Sequence, residues 1–244
     1  MRGFWRKLGR WLLPAVAALM LLEAYFIGRI ALMARLDPRS TAFQRSEIWR
    51  LTTQGPGVSR WQQQWRDYDR ISDHLKRAVI ASEDDGFVIH DGVDWDAVEK
   101  AWERNAKAEQ QAQARTAQRK PPRIRGGSTI TQQLAKNLFF SGERTLARKG
   151  QELILTYALE AFLSKRRILE LYLNNVEWGA GIFGAEAAAQ HYFGKSAAAL
   201  SAPEAARLAV MLPRPRYFEE RPASPYLAQR AAVIAVRMRA AELP

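Results

Sequence analysis

Three clusters in this 244-residue chain carry side chains able to do chemistry. The first is Glu83-Asp84-Asp85, with Phe87 and His90 just beyond. Adjacent acids at the end of a helical pattern repel one another and face the negative pole of the helix dipole. Both effects raise a carboxylate pKa, as a general base or acid working near neutral pH requires. The competing reading is a solvated acidic helix end. The second cluster is the run from Arg125 to Asn137, RGGSTITQQLAKN. Its glycine pair sets up a tight turn, Ser128 is the expected N-cap, and residues 129–137 read as the helix it opens. On that helix Thr129, Gln132, Gln133 and Lys136 share one stripe, opposite Ile130, Leu134 and Leu138. A hydroxyl, two amides and an ammonium on one face can hold a polar anionic ligand such as a sugar phosphate. An ordinary capped amphipathic helix is the alternative, but the density of amides and hydroxyls directly after Gly-Gly favours the ligand. The third cluster is Arg148, Lys149 and Glu152. Arg148 and Glu152 stand four apart, as in a simple helical ion pair. The helix around them is otherwise apolar, so Glu152 is expected to be partly buried, where a charge needs a partner or a purpose.

The elements that must position these residues read as helices. One starts at Ile71, capped by Ser72 or Asp73, presents Leu75, Ala78 and Val79 on one face, and ends near Asp85-Gly86. Asp94 caps a second helix from Trp95. Residues 103–123 turn polar and basic and read as a helix extension running into a flexible loop. A long apolar helix is expected from Glu143 to Phe162, central to the core. Helices follow over residues 165–174, 185–192, 202–212 and 225–241. Gly179, Gly181 and Gly184 mark a loop, with Asn174 and Glu177 as hydrogen-bonders that fix it. No segment shows convincing strand alternation, so the expected fold class is all-α. There is no internal repeat.

Composition narrows the partners. The chain is 48% hydrophobic with eight Trp, enough for a sizeable core. It has no Cys and three His, which removes disulfides and makes a zinc site improbable. A net charge of +12 calls for an anionic partner: membrane lipid, a phosphate-bearing substrate or nucleic acid. No zinc-finger or RNP-like spacing supports nucleic acid. At the N-terminus Arg2, Arg6, Lys7 and Arg10 precede an apolar stretch from Trp11 to Ile27 that can continue past Arg29 to Leu36, although Glu23 sits inside it. No small-x-small cleavage site follows. This predicts an uncleaved signal anchor, N-terminus in the cytoplasm and the bulk of the chain outside. The expected organisation is a tip and anchor over 1–36, a connector over 37–69 and a catalytic domain over 70–244.

Taken together, the motifs resemble the peptidoglycan glycosyltransferases of glycosyltransferase family 51. EDDGFVIHDG is similar to that family's E-D-x-x-F-x-x-H-x-G signature, GGSTITQQLAKN to its second motif and RKGQE to its R-K-x-x-E motif. RILELYLN and GIFGAEAAAQHYFGK resemble the fourth and fifth. All five stand in family order between about Ala78 and Lys195, roughly half the chain. The likeness is to the monofunctional members, without a transpeptidase domain. It implies a lysozyme-like, two-lobed helical fold preceded by one transmembrane helix. It implies lipid II as substrate, elongated with release of undecaprenyl pyrophosphate. Glu83 would be the general base, with Glu152 the second catalytic carboxylate. Asp84, Phe87, His90, Gly127, Ser128, Thr129, Gln132, Gln133, Lys136, Asn137, Arg148 and Lys149 would contact substrate. No dedicated cofactor is implied, though Mg²⁺ could assist at the pyrophosphate. Implied partners are lipid II, nascent glycan, membrane lipid and other cell-wall synthesis or division proteins, and the location is the inner membrane. A lysozyme-like muramidase and a non-catalytic anchored wall-assembly module remain the alternatives. The spacer at 103–123 is longer and more basic than the family's usual link.

Overall fold

The computed structural model describes residues 2–54, 61–113, 127–141 and 145–244. Eleven α-helices follow one another among them. They are α1 (Arg2–Met33), α2 (Ala42–Gln54), α3 (Asp73–Glu83), α4 (Trp95–Gln113), α5 (Ile130–Phe139) and α6 (Leu146–Phe162), then α7 (Lys165–Asn175), α8 (Ala185–Phe193), α9 (Ala202–Met211), α10 (Pro215–Glu219) and α11 (Pro225–Arg237). The helical class expected from the sequence is the one observed. Three strands were not expected: β1 (Gln62–Gln63), β2 (Glu177–Gly179) and β3 (Ile182–Phe183). At two or three residues each, they are too short to display an alternating pattern. β3 lies between the other two, parallel to β1 and antiparallel to β2. The glycine-marked loop is thus a small hairpin.

Local chemistry explains the helix ends. The Ser72 hydroxyl accepts the His74 N–H and donates to the Leu200 carbonyl, which starts α3 and ties it to the turn before α9. Leu75, Ala78, Val79 and Ile80 of α3 are fully enclosed and pack on α9 and α11. Asp94 Oδ1 accepts the Ala97 N–H at 2.8 Å and opens α4 as expected. That helix continues to Gln113, and the rest of the 103–123 spacer lies outside the described residues. The corner between β3 and α8 needs glycine at position 184. Gly184 has φ +85°, and a Cβ there would stand 2.7 Å from the Asn174 carbonyl oxygen.

Two expectations about α6 are corrected. It starts at Leu146 under a Thr145 cap, whose hydroxyl accepts the Arg148 N–H, while Glu143 lies outside the described residues. Nor is it central. Leu155 and Leu159 are buried against α5, but Ile154 is 51% exposed and Phe162 48% exposed. An apolar run marks burial in sequence whether protein or lipid covers it, so the run alone overstated the core.

The 37–69 stretch holds α2 and β1, and both are bound to the body. Glu47 of α2 receives Arg50 and Arg216 at 2.6 and 2.8 Å, and Arg66 pairs with Glu186 at 3.1 Å. Helix α1 contains the one described segment long and apolar enough to cross a membrane, Arg10–Met33. Its last turns are docked: Ile30 and Met33 are buried, and Arg167 Nε donates to the Met33 carbonyl at 2.8 Å.

Candidate active site

Glu83 is the last residue of α3, and its half-buried carboxylate is held by a neighbour fifty residues away. Gln133 Nε2 donates to Glu83 Oε2 at 2.9 Å. The amide is itself oriented, because the Tyr172 hydroxyl donates to Gln133 Oε1 at 3.0 Å. Tyr172 is fully buried, and burial, followed by the charges of Glu83 and Asp84, pushes its phenol well above the ordinary range. It is therefore a permanent donor, and the relay Tyr172–Gln133–Glu83 has one polarity. Burial is also the largest influence on Glu83 and raises its pKa. The Gln133 hydrogen bond and the Lys136 charge lower it, and the Asp84 charge raises it. The upward direction is the one expected, but burial and not like charge or the helix dipole is its main cause.

Asp84 builds the frame around Glu83. Its buried side chain takes His90 Nε2 on Oδ1 at 2.8 Å and the Ile130 N–H on Oδ2 at 2.9 Å. Ile130 is the first residue of α5, so the carboxylate of Asp84, the residue that caps the end of α3, sits on the positive pole of α5. His90 Nδ1 accepts the Gly92 N–H at 3.1 Å, which leaves Nε2 to carry the proton donated to Asp84. Phe87 is fully buried, with the Lys165 ammonium 4.8 Å from its ring centroid. Lys165 also donates to the His90 carbonyl and to Glu160.

The cap of α5 is Thr129 and not Ser128, a correction to the sequence reading. Thr129 Oγ1 accepts the Gln132 N–H while Gln132 Oε1 accepts the Thr129 N–H, a complete capping box. Thr129 Oγ1 also donates to the Gly92 carbonyl at 2.6 Å. Ser128 is exposed, and Gly127 lets the chain pass close to α4, where a Cβ would meet the Ala97 carbonyl at 3.3 Å. The expected stripe therefore divides. Thr129 and Gln132 are buried in the cap, Gln133 orients Glu83, Asn137 is buried and Lys136 is exposed. The Leu138-Phe139-Phe140 run also divides, with Leu138 fully in the core and both phenylalanines partly covered.

The third cluster stands on α6, the neighbour of α5. Glu152 is buried and pairs with Lys149 at 2.5 Å, three residues away, instead of with Arg148. Arg148 is half-buried, and its buried Nε has no hydrogen-bond partner among the described residues. No group of three or more His, Asp or Glu stands together as a metal cage among the described residues. The expected loop-fixers do fix the hairpin. Asn174 exchanges hydrogen bonds with the Arg66 backbone, and Glu177 meets Arg216 at 2.7 Å. Burial raises Glu177 to about 7 against the pull of Arg216.

Tyr172 is the residue that the sequence reading missed. Its helix was legible, but its contact with a glutamine thirty-nine positions away was not. Tyr172→Phe should remove the donor that holds the Gln133 amide while keeping the ring in place. Catalysis is expected to fall on the order of tenfold, with a stability loss of about 1 kcal/mol. Initial rates beside a thermal melt check this; an unchanged rate would show that Gln133 needs no such support.

Comparison with known proteins follows from this geometry. Residues 51–239 match the family described as Transglycosylase. The chain is 54% identical over 239 residues to the biosynthetic peptidoglycan transglycosylase of Paraburkholderia xenovorans (strain LB400), covering 96% of this chain and 94% of that one. The protein of the same name from Herminiimonas arsenicoxydans is 51% identical over 240 residues, 98% of each chain. That from Bordetella avium (strain 197N) is 52% identical over 243 residues, covering 100% of this chain and 98% of that one.

Proposed function

The chain belongs to the transglycosylase family and is a peptidoglycan glycosyltransferase that polymerises glycan chains, and from that premise we propose that its substrate is lipid II and its general base Glu83. The observation that carries the assignment is the Glu83 carboxylate, raised in pKa, oriented by Gln133, and within reach of the Lys136 charge. Glu83 takes the proton from the 4-hydroxyl of the acceptor GlcNAc. That oxygen attacks C1 of the lipid-linked MurNAc of the growing chain with inversion, and undecaprenyl pyrophosphate leaves. The transition state is oxocarbenium-like at the sugar, while negative charge builds on the departing pyrophosphate.

That charge needs fixed cations. Lys136 follows Gln133 by three residues on α5, so the amide that holds the base and the cation are neighbours on one helix. Arg148 carries an Nε–H with no hydrogen-bond partner among the described residues, and Glu152 sets the position of Lys149. Ser128 and Asn137 would contact sugar and phosphate oxygens. Asp84, Phe87, His90, Gly127, Thr129 and Gln132 serve the substrate through the frame they build around Glu83 and the start of α5. A divalent ion such as Mg²⁺ would add its charge through the substrate's own oxygens, since the described residues supply no acidic cage for it. Segment Arg10–Met33 is assigned as the membrane span, with the basic tip in the cytoplasm and the catalytic body outside, where lipid II is used.

The test is incubation of the detergent-solubilised full chain with lipid II, followed by separation of polymer from monomer. Long glycan is the expected product. Free disaccharide-peptide without polymer would mark a hydrolase and overturn the assignment.

A further inference from the structure

The last turns of α1 pack against the body. Among positions 10–33 of α1, 23, 26, 27, 29, 30 and 33 are the covered ones, with Ile30 and Met33 buried. Phe26 meets Phe139, the last residue of α5, edge-on at 5.3 Å between centroids. The Arg29 guanidinium lies over two rings, 5.5 Å from the centroid of Phe139 and 5.7 Å from that of Tyr25. Arg29 is thus clamped between its own helix and the end of α5. Among the described residues no carboxylate stands within ion-pair distance of it, although it is half-buried. A guanidinium held against aromatic rings by its face still has N–H donors to offer, and these suit phosphate oxygens.

Its place along α5 is informative. Gln133, Lys136 and Phe139 follow at three-residue spacing, so they run down one side of the helix over about 9 Å. The row begins at Glu83, through Gln133, passes Lys136 and ends at Phe139 with Arg29 above it. A lipid-linked sugar has the same order: sugar, pyrophosphate, then polyprenyl chain in the bilayer. With the sugar at Glu83, the pyrophosphate must extend toward the membrane end of the row, where the anchor supplies a cation.

We propose that Arg29 of the membrane anchor is a substrate-binding residue that contacts the pyrophosphate of the lipid-linked substrate, making the anchor part of the binding site. This rests on the assignment of lipid II and Glu83 above. Phe139 is the positioning residue, since its ring holds the guanidinium in place.

The experiment uses the full chain in non-ionic detergent free of phospholipid, with fluorescently labelled lipid II as probe. Binding is read by anisotropy in the inactive Glu83→Gln background, with Arg29 intact or replaced by Lys or Ala. In the otherwise native chain, initial rates give KM and kcat. Arg29→Ala is expected to weaken binding and raise KM about tenfold, with kcat within about twofold and an unchanged melting temperature; Arg29→Lys should recover most of the loss. Equal affinity for all three chains would overturn the proposal. So would a loss seen only in bilayers with anionic phospholipid, which would assign Arg29 to headgroup phosphates. A fall in kcat with a matching fall in melting temperature would mark a structural role and also overturn it. Failure of the native chain to polymerise lipid II in the same detergent would instead strike the functional assignment itself.

Discussion

Glu83→Gln should give a folded protein whose glycan polymerisation is reduced on the order of 10² to 10⁴. The substitution keeps shape and nearly keeps volume. In the proposed mechanism it removes only the ability to accept a proton from the attacking hydroxyl. Stability should hold, because Glu83 is half-buried with a raised pKa, so the fold gains little from its charge. The Gln133 amide can still donate to the new carbonyl oxygen. Polymer yield from lipid II beside a thermal melt separates the two effects. Near-native polymerisation by a folded Glu83→Gln chain would remove Glu83 from the mechanism.

Asp84→Ala should be the more damaging change to the molecule. Asp84 is 7% exposed and satisfies two buried donors, His90 Nε2–H and the Ile130 N–H. Each would be stranded at a cost of about 1–3 kcal/mol, and α5 would lose the anion at its positive pole. A net loss of about 2–5 kcal/mol is expected, with catalysis falling on the order of 10² or more as α5 releases Gln133 from its register with Glu83. Asp84→Asn should not rescue it. Its amide nitrogen would face one of the two donors. Circular-dichroism melts and polymer assays on both variants check this. A melting temperature within about 2 °C of native for Asp84→Ala would show that the carboxylate does not hold α5.

Much of this site was legible in one dimension. Helix periods, the Ser72 and Asp94 caps and the three chemical clusters could all be read locally, because each depends on residues within four positions. The choice of Ser128 as cap over Thr129 ignored a signal that was present. Gln132 stands three residues after Thr129, which is the capping-box spacing, whereas the residue three after Ser128 is Thr131. Other features were beyond reach. The Glu83–Gln133 and Tyr172–Gln133 hydrogen bonds join helices far apart in sequence, and no periodicity encodes which faces will meet. Lys149 displaces Arg148 as the partner of Glu152, a choice between i,i+3 and i,i+4 that rotamers and packing decide. The exposed apolar side of α6 and the clamp on Arg29 depend on where the anchor docks, which the hydropathy of the anchor does not state.

In the proposed mechanism, polymerisation depends on a deprotonated Glu83 whose pKa is raised by its surroundings. The most direct measurement is kcat/KM on lipid II as a function of pH, with the fold monitored at each point. A base works deprotonated, so activity is present above its folded pKa and is lost as the pH falls through it. An acid limb is expected, with an apparent pKa above the roughly 4.3 of an ordinary glutamate. A rate that stays level down to the pH at which the protein unfolds would contradict it.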